Sequence, residues 1–562
     1  MSHRAPRFLC PTAAFLLATL VAMPLAASAD APASPPASVV TLVQTRSGPA
    51  QGHPVADGRV LAWLGLPYAE PPVGERRWQA PQPHAPWSEV QAADRFGAPC
   101  VQIGGPYGPP PAGESWGKAN LEVFGKAVGS EDCLTLNVWR PAQPGRPRPV
   151  LVFVHGGSNV AGYSGDPTYD GARLAAGADA VVVTINYRLG LFGWFTHPSL
   201  HGGDPLSNSG NFGTLDIIAA LRFVHDNAAA FGGDPGNVTL MGQSAGTINI
   251  YSLMVSPPAA GLFHKAILLS GLIGDTVAPD KGYAYAETFA ARLMVEDGVA
   301  GNEALARQKL AGDPLWLGRY LKDKSAAQIV ESSLRIAELK KGPGGAFGDG
   351  VVLPPAAAAA FGQGKFAHMP ALIGATRDEA KLFPSTLKLG SAERFRMMID
   401  SKPDGEPLAK PADLISGYML PFLSAWPYDT YNALITTVLM HGVNKSIATL
   451  ARDEPRTFVY RFDWNRAPEP WKTVYGASHG IDLPFIFGNF SNGFFAMDFS
   501  QQNRPGREAL SRLMMQSIGA FLRSGDPNAA DLPVRWNAWR DDSRSRLLLD
   551  ASDRQASVRL DP

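Results

Sequence analysis

Residues 238–246 read Val-Thr-Leu-Met-Gly-Gln-Ser-Ala-Gly, a short β-branched and apolar run closing in G-x-S-x-G, within a chain of 562 residues. The run predicts a buried strand. The stretch that follows, through Ile248 and Leu253, predicts a helix that must end near Pro257-Pro258. G-x-S-x-G alone arises by chance, but between a strand and a helix it puts Ser244 on a sharp turn, its oxygen exposed at the carboxyl end of a sheet. So tight a turn leaves no room for side chains at Gly242 and Gly246. The plainer alternative is a glycine-rich strand-to-helix turn carrying an ordinary serine.

Outward from this turn, strand and helix signals alternate. VLVFV at 150–154 and VVVTI at 181–185 are continuous apolar runs, as expected of strands buried on both faces. Ile217, Ala220, Leu221 and Val224 fall on one helical face, giving an amphipathic helix that Gly232-Gly233-Asp234-Pro235 would end. AILL at 266–269 and ALIG at 371–374 read as further strands. This repetition predicts an α/β fold with a mostly parallel central sheet and helices on both faces. Residues 282–347 and 391–453 read as mainly helical insertions, with no composition shift that marks a domain border.

A serine nucleophile needs a base, and the base needs an acid to orient it, in the chain order serine, acid, histidine. His264, His368, His441 and His479 follow Ser244. His264 begins a strand and reads as a surface or packing residue, and His441, within the helical VLMHGV, reads as a satisfied interior histidine. His479 stands in the small-residue loop Ala-Ser-His-Gly and is the preferred base. Asp378 and Glu379 both lie just beyond the ALIG strand and either could orient an imidazole, the other being solvated or paired with Arg377. Asp482, three residues after His479, reads as a local structural acid, and Ser270 as a structural hydroxyl. His155-Gly156-Gly157, after the VLVFV strand, can aim backbone N–H groups at a developing oxyanion, and the Ala245 N–H would complete such a hole. A phosphate-cradling turn is disfavoured, because no Walker lysine follows and no G-x-G-x-x-G is present.

Composition excludes several classes. Hydrophobic residues make up 45% and charged residues 18%, as in a globular protein with a large core. The formal net charge is zero, which gives no basic field for nucleic acid. Arg4 and Arg7 precede an apolar run from Ala13 to Met23, and Ala27-Ser28-Ala29 offers small residues for cleavage. Residues 1–29 therefore read as a signal peptide cleaved after Ala29, with an uncleaved membrane anchor as the alternative, 30–38 as a flexible Pro/Ala/Ser leader, and 39–562 as a single domain. The expected product is secreted or periplasmic, without stable membrane insertion. The chain has three cysteines. Cys10 lies in the signal, which leaves Cys100 and Cys133 as a pair for an oxidising compartment, or as two buried thiols.

The chain resembles a type-B carboxylesterase, the cholinesterase/lipase branch of the α/β hydrolases. The resemblance runs through LAWLGLPYAEPPVGERRW (61–78), SEDCLTLNVW (130–139), VFVHGG (152–157), NYRLGLFGWF (186–195) and FVHDNAAAFGGDPGNVTLMGQSAG (223–246). It continues through GLFHKAILLSG (261–271), LIGATRDEAKLF (372–383), SHGIDLPFIFG (478–488) and FLRSGDPN (521–528). It implies an α/β-hydrolase fold and a serine esterase, with Ser244 as nucleophile, His479 as base and Glu379 rather than Asp378 as the orienting acid. It further implies oxyanion donors at Gly157, Ser158 and Ala245, a Cys100–Cys133 disulfide, and a structural ion pair between Arg77 and Glu131.

The expected function is hydrolysis of small-molecule carboxylic esters through an acyl-enzyme, with no metal or organic cofactor. The alternatives are a lipase or esterase for a bulky natural or xenobiotic ester, and a non-catalytic binding protein on the same fold. Three departures from the family pattern stand out. Ser158 occupies a position usually held by glycine or alanine, and Gln243 replaces the glutamate common before the nucleophile in cholinesterases. The stretch between the cysteines contains PYGPPPAGESWG (106–117), whose Trp116 cannot be equated with the cholinesterases' choline-binding tryptophan.

Overall fold

In the strand at 150–154, successive side chains enter different cores. Val150, Val152 and Val154 join one hydrophobic cluster, Leu151 and Phe153 another. The same division holds at Ala266 and Leu268 against Ile267 and Leu269. A strand whose side chains alternate between two dry faces must be apolar throughout, which is why these segments carry no polar period. Each fully buried Val, Leu or Ile contributes about 1.5–3 kcal/mol relative to exposure, so the paired cores hold the sheet in place.

The computed structural model describes residues 41–313, 315–335, 345–383, 392–415 and 426–561. The segments read as signal peptide and leader, and Cys10 with them, lie outside the described residues. Eleven strands among them form one sheet. In chain order these are β1 (His53–Val55), β2 (Val60–Pro67), β3 (Thr135–Pro141), β4 (Arg148–Val154), β5 (Val181–Ile185) and β6 (Gly233–Gln243). They continue with β7 (Lys265–Leu269), β8 (Ala371–Thr376), β9 (Thr457–Phe462), β10 (Arg546–Ala551) and β11 (Ala556–Asp561). Their spatial order is β11-β10-β9-β8-β7-β6-β4-β5-β3-β2-β1. Pairing is parallel from β5 through β10. It is antiparallel at both margins, in β1 to β3 with β5 and in β10 with β11. The mostly parallel sheet is as expected; the antiparallel margins are additional.

Helix α1 (Ala172–Ala178) and the long α6 (Arg504–Ser524) cover one face, where their apolar residues join the Leu151 and Phe153 cluster. Helices α2 (Phe212–Asn227) and α3 (Ala245–Met254) cover the other. In chain order α4 (Pro279–Glu296) and α5 (Trp426–Asp453) come between α3 and α6, α4 beginning three residues before the first stretch read as a helical insertion and α5 falling within the second. Ile217, Ala220, Leu221 and Val224 are buried as their spacing predicts, with Arg222, His225 and Asp226 exposed on the other side, while the first turns of α2 are buried all round. One expectation is corrected here. His441 is not interior. It is exposed on α5, beside a cleft of about 330 Å³ lined also by Arg377, Arg461 and Arg546.

Cys100 and Cys133 form a disulfide across a sequence separation of 33. Beside it Arg77 and Glu131 make a two-pronged ion pair at 2.7 and 2.5 Å, with side chains only 7% and 13% exposed. A second buried pair was not foreseen. Arg188 grips Asp216 at 2.8 and 2.7 Å, and the Arg188 backbone N–H adds a third bond to the same carboxylate. Among the described residues no helix is long and apolar enough to cross a membrane.

Candidate active site

The sheet register sets the site. Gly242 at the end of β6 pairs with Val154 at the end of β4, and Gln243 pairs with Leu269 at the end of β7. The loop after β4 and the turn after β6 therefore leave the sheet side by side. A Cβ on Gly242 would lie 2.6 Å from the Gly246 carbonyl carbon, and one on Gly246 would lie 2.1 Å from the Val154 oxygen. Both glycines are required by contact, as the G-x-S-x-G reading holds. Ser244 sits between them at φ 56 and ψ −122, a conformation that a non-glycine residue adopts only when its surroundings enforce it. Its N–H donates to Leu269 O at 2.8 Å and its carbonyl accepts from Ile248 N at 3.1 Å. The Thr247 hydroxyl bonds Gly242 O at 2.7 Å and Leu269 O at 2.8 Å, which stitches the first turn of α3 to both strands.

Glu379 and His479 meet: Nδ1–H of the imidazole donates to Glu379 Oε2 at 2.5 Å. The other carboxylate oxygen accepts from Ser270 Oγ at 2.6 Å and from Thr376 N at 2.8 Å. Burial would raise this carboxyl, but the adjoining His479 and the Ser270 and Thr376 donors together hold it below its usual range. Glu379 is thus anionic, with donors on both oxygens. Ser270 is a structural hydroxyl, as read, but one that holds Glu379.

The competing acids have other duties. Asp378 pairs with Arg377 at 2.8 Å and accepts from Ala477 N at 3.0 Å, which pins the start of the histidine loop. Asp482 accepts from Tyr460 OH at 2.6 Å. Burial pushes its carboxyl up to about 6, the Tyr460 donor opposing and the nearby Glu379 charge adding to the rise. His264 lies just before β7, its ring accepting from Val238 N at 3.1 Å, and His368 is exposed. Neither approaches a carboxylate as His479 does.

Nε2 of His479 faces the Gln243 side-chain amide at 3.0 Å. With Nδ1 carrying the proton toward Glu379, Nε2 holds the lone pair and Gln243 donates to it. Ser244 Oγ makes no hydrogen bond among the described residues.

Gly157, Ser158 and Asn159 follow β4 with φ of 96, 55 and 59. This left-handed run forms a tight turn in which Val160 N and Ala161 N both donate to Gly157 O at 3.0 Å. The N–H groups of Gly157 and Ser158 and that of Ala245, at the start of α3, have no backbone acceptor among the described residues. The positive end of α3 lies at the same place. His155 beneath the loop stacks on Tyr187 at 4.5 Å, its Nδ1–H donating to Gly156 O at 2.9 Å. Burial pushes this imidazole down to about 4, and its Nε2 has no partner. Trp116, within the loop between the cysteines, packs edge-on against Phe395 at 5.9 Å and lines a cavity of about 400 Å³ with Met398, Phe490 and Phe494.

A strained serine between strand and helix, a buried carboxylate–imidazole pair and a left-handed glycine loop on the neighbouring strand end agree with the match to a family model. The model described as "Carboxylesterase family" spans residues 39–560. The chain belongs to the carboxylesterase family. Among its relatives, the para-nitrobenzyl esterase of Bacillus subtilis (strain 168) is 32% identical over 523 residues, 91% of this chain and 95% of the relative. Fumonisin B1 esterase of Sphingopyxis macrogoltabida is 30% identical, over 86% of this chain and 80% of the relative. The crystal structure of a Geobacillus stearothermophilus carboxylesterase superposes with a TM-score of 0.67 at 32% identity, covering 93% of this chain and 98% of that one. This member of the carboxylesterase family is a carboxylic ester hydrolase with the α/β-hydrolase fold.

Proposed function

We propose that the chain hydrolyses small-molecule carboxylic esters through an acyl-enzyme, with Ser244 as nucleophile, His479 as general base and Glu379 as the acid that orients it. The observation that carries this reading is the 2.5 Å contact between His479 Nδ1 and Glu379 Oε2, which fixes the tautomer with its lone pair on Nε2. Ser244 Oγ attacks the ester carbonyl and its proton passes to Nε2. For this step the Gln243 amide yields the lone pair to the serine. The N–H groups of Gly157, Ser158 and Ala245 receive the charge on the carbonyl oxygen. The imidazolium then protonates the leaving alcohol. Water repeats the sequence on the acyl-enzyme, releasing the acid and free Ser244.

Residues 39–562 act in this reading as a single catalytic domain, exported behind a signal peptide cleaved after Ala29. The neutral amide of Gln243, where a carboxylate would stand in cholinesterases, favours uncharged over cationic esters.

The test is the intact mass of the mature protein after a fluorophosphonate, with Ser244→Ala as control. One adduct per chain, missing in the control, is the expected result. A folded protein that takes no adduct overturns the reading in favour of a binding role.

A further inference from the structure

Asn159 and Asn249 exchange a reciprocal pair of amide hydrogen bonds. Asn159 Nδ2 donates to Asn249 Oδ1 at 3.1 Å, and Asn249 Nδ2 donates to Asn159 Oδ1 at 2.9 Å. Asn159 ends the left-handed run after β4. Asn249 lies one turn into α3, five residues beyond Ser244, and is 3% exposed. Among the described residues this is the direct side-chain hydrogen bonding between the loop at 155–161 and α3, and the Tyr187 hydroxyl bridges the same two residues.

The loop has reason to need a tie. Ser158 and Asn159 both stand at positive φ without being glycine, a backbone state that relaxes unless its surroundings hold it. The outer side of the loop is held by Gly190 N, which donates to Asn159 O at 2.7 Å, and by Tyr187 OH, which donates to His155 O at 2.7 Å. The Gly190 contact does not reach the nucleophile helix, and the Tyr187 hydroxyl, 3.4 Å from Asn159 Oδ1, reaches it only at Asn249, where it joins the amide pair. A carboxamide at each position, carrying both a donor and an acceptor on a short side chain, closes that gap. Asparagine is also the side chain that best tolerates the left-handed region.

We propose that Asn159 and Asn249 form a positioning clamp that sets the Gly157 and Ser158 N–H groups against the Ala245 N–H, so that donors from two separate elements converge on one oxyanion. The proposal rests on reading those N–H groups as the oxyanion hole. Donors aimed in advance stabilise developing charge without reorganising during the reaction, whereas a displacement of about 1 Å in such a site costs about 100-fold. The clamp therefore bears on the transition state more than on ground-state binding.

The experiment compares wild type with Asn159→Gly, Asn249→Ala, the double variant and Ser244→Ala. Glycine is chosen at 159 because it removes the amide yet keeps the left-handed backbone unstrained. Asn249→Asp retains one of the two bonds and serves if Asn249→Ala does not fold. The readouts are kcat and KM for a p-nitrophenyl ester, and inhibition by an aryl trifluoromethyl ketone, whose serine adduct places an oxyanion in the hole. Each single variant is expected to lower kcat about 10- to 100-fold, to leave KM within about threefold, and to weaken the ketone in proportion to kcat. The double variant should be no worse than the poorer single, since one broken clamp cannot be broken again. Single variants within about twofold of wild type in kcat, losses confined to KM, or multiplicative losses in the double variant overturn the clamp while Ser244→Ala remains inactive. A Ser244→Ala enzyme that still hydrolyses the ester overturns the reading of the site, and the clamp with it.

Discussion

The side-chain amide of Gln243 stands 3.0 Å from Nε2 of His479, so the residue before the proposed nucleophile holds the lone pair that the nucleophile must use. A carboxylate there would act differently, because it attracts the protonated imidazole. In Gln243→Glu the acid limb of the kcat/KM profile is expected to move about one unit toward higher pH, since the neutral base then needs a higher pH to persist. A limb that stays in place would mean that the amide and the imidazole do not communicate.

Glu379 accepts from His479, Ser270 and Thr376, three donors to a buried anion. Glu379→Gln keeps the size but loses the charge that favours Nδ1–H and stabilises the imidazolium. Steady-state kinetics should show kcat lowered about 10³- to 10⁴-fold with a small change in KM. Retention of more than about a tenth of the wild-type kcat would remove Glu379 from its proposed role.

His155 is held down to about 4 by burial, with a partnerless Nε2. Its folded-state pKa lies below the unfolded value of about 6.5, so the neutral form's contribution is complete above pH 6.5 and is lost as pH falls toward 4. The loss is on the order of 3 kcal/mol. Urea midpoints for wild type and His155→Gln at pH 7.5, 6, 5 and 4.5 should converge as the solution is acidified. Parallel curves would refute the assignment.

Asp482 runs the opposite way. Burial pushes it up to about 6, so the folded state holds a proton that the unfolded chain releases near 3.9. Stability from this group is greatest below about pH 4 and falls as pH rises to 6. Asp482→Asn can still accept from Tyr460 and carries no charge. It should gain on wild type through that window, by up to a few kcal/mol at pH 7, as read from thermal or denaturant midpoints.

The Cys100–Cys133 bridge closes a loop with a sequence separation of 33. On the chain-entropy account, Cys133→Ser lowers stability by about 3–4 kcal/mol. Denaturant unfolding with and without reductant checks this: wild type should approach the variant once reduced, and the variant should not respond.

Much of the site could be read from spacing because it lies where strands end. Gly242 and Gly246 were required by the turn, and the structure places Val154 O and the α3 backbone where their side chains would be. Residue types could not decide between Asp378 and Glu379, adjacent acids past one strand end. They are distinguished by a 3₁₀ turn, Glu379–Lys381, that sends one carboxylate to His479 and leaves the other with Arg377. The pairing of β3 with β2 and β5, the Arg188–Asp216 pair and the Asn159–Asn249 exchange depend on segments distant in sequence, which no local period records, whereas β1–β2 and β10–β11 are hairpins closed by short turns at 56–59 and 552–555. His441 misled for a related reason. An apolar run around a histidine reads as interior, but this part of α5 also exposes Leu434 and Val438.

The long reach of these contacts has a consequence for the timing of activity in a newly made chain. Gln243 meets His479 across 236 positions, and Glu379 meets it across 100. Strand β10, hydrogen-bonded beside β9, does not begin until Arg546. A nascent chain therefore carries its serine turn long before the histidine proposed as its base, and on that reading no stretch released before His479 turns over an ester. Hydrolysis becomes a late-reporting signal of complete folding, so an activity assay during refolding should lag the recovery of secondary structure.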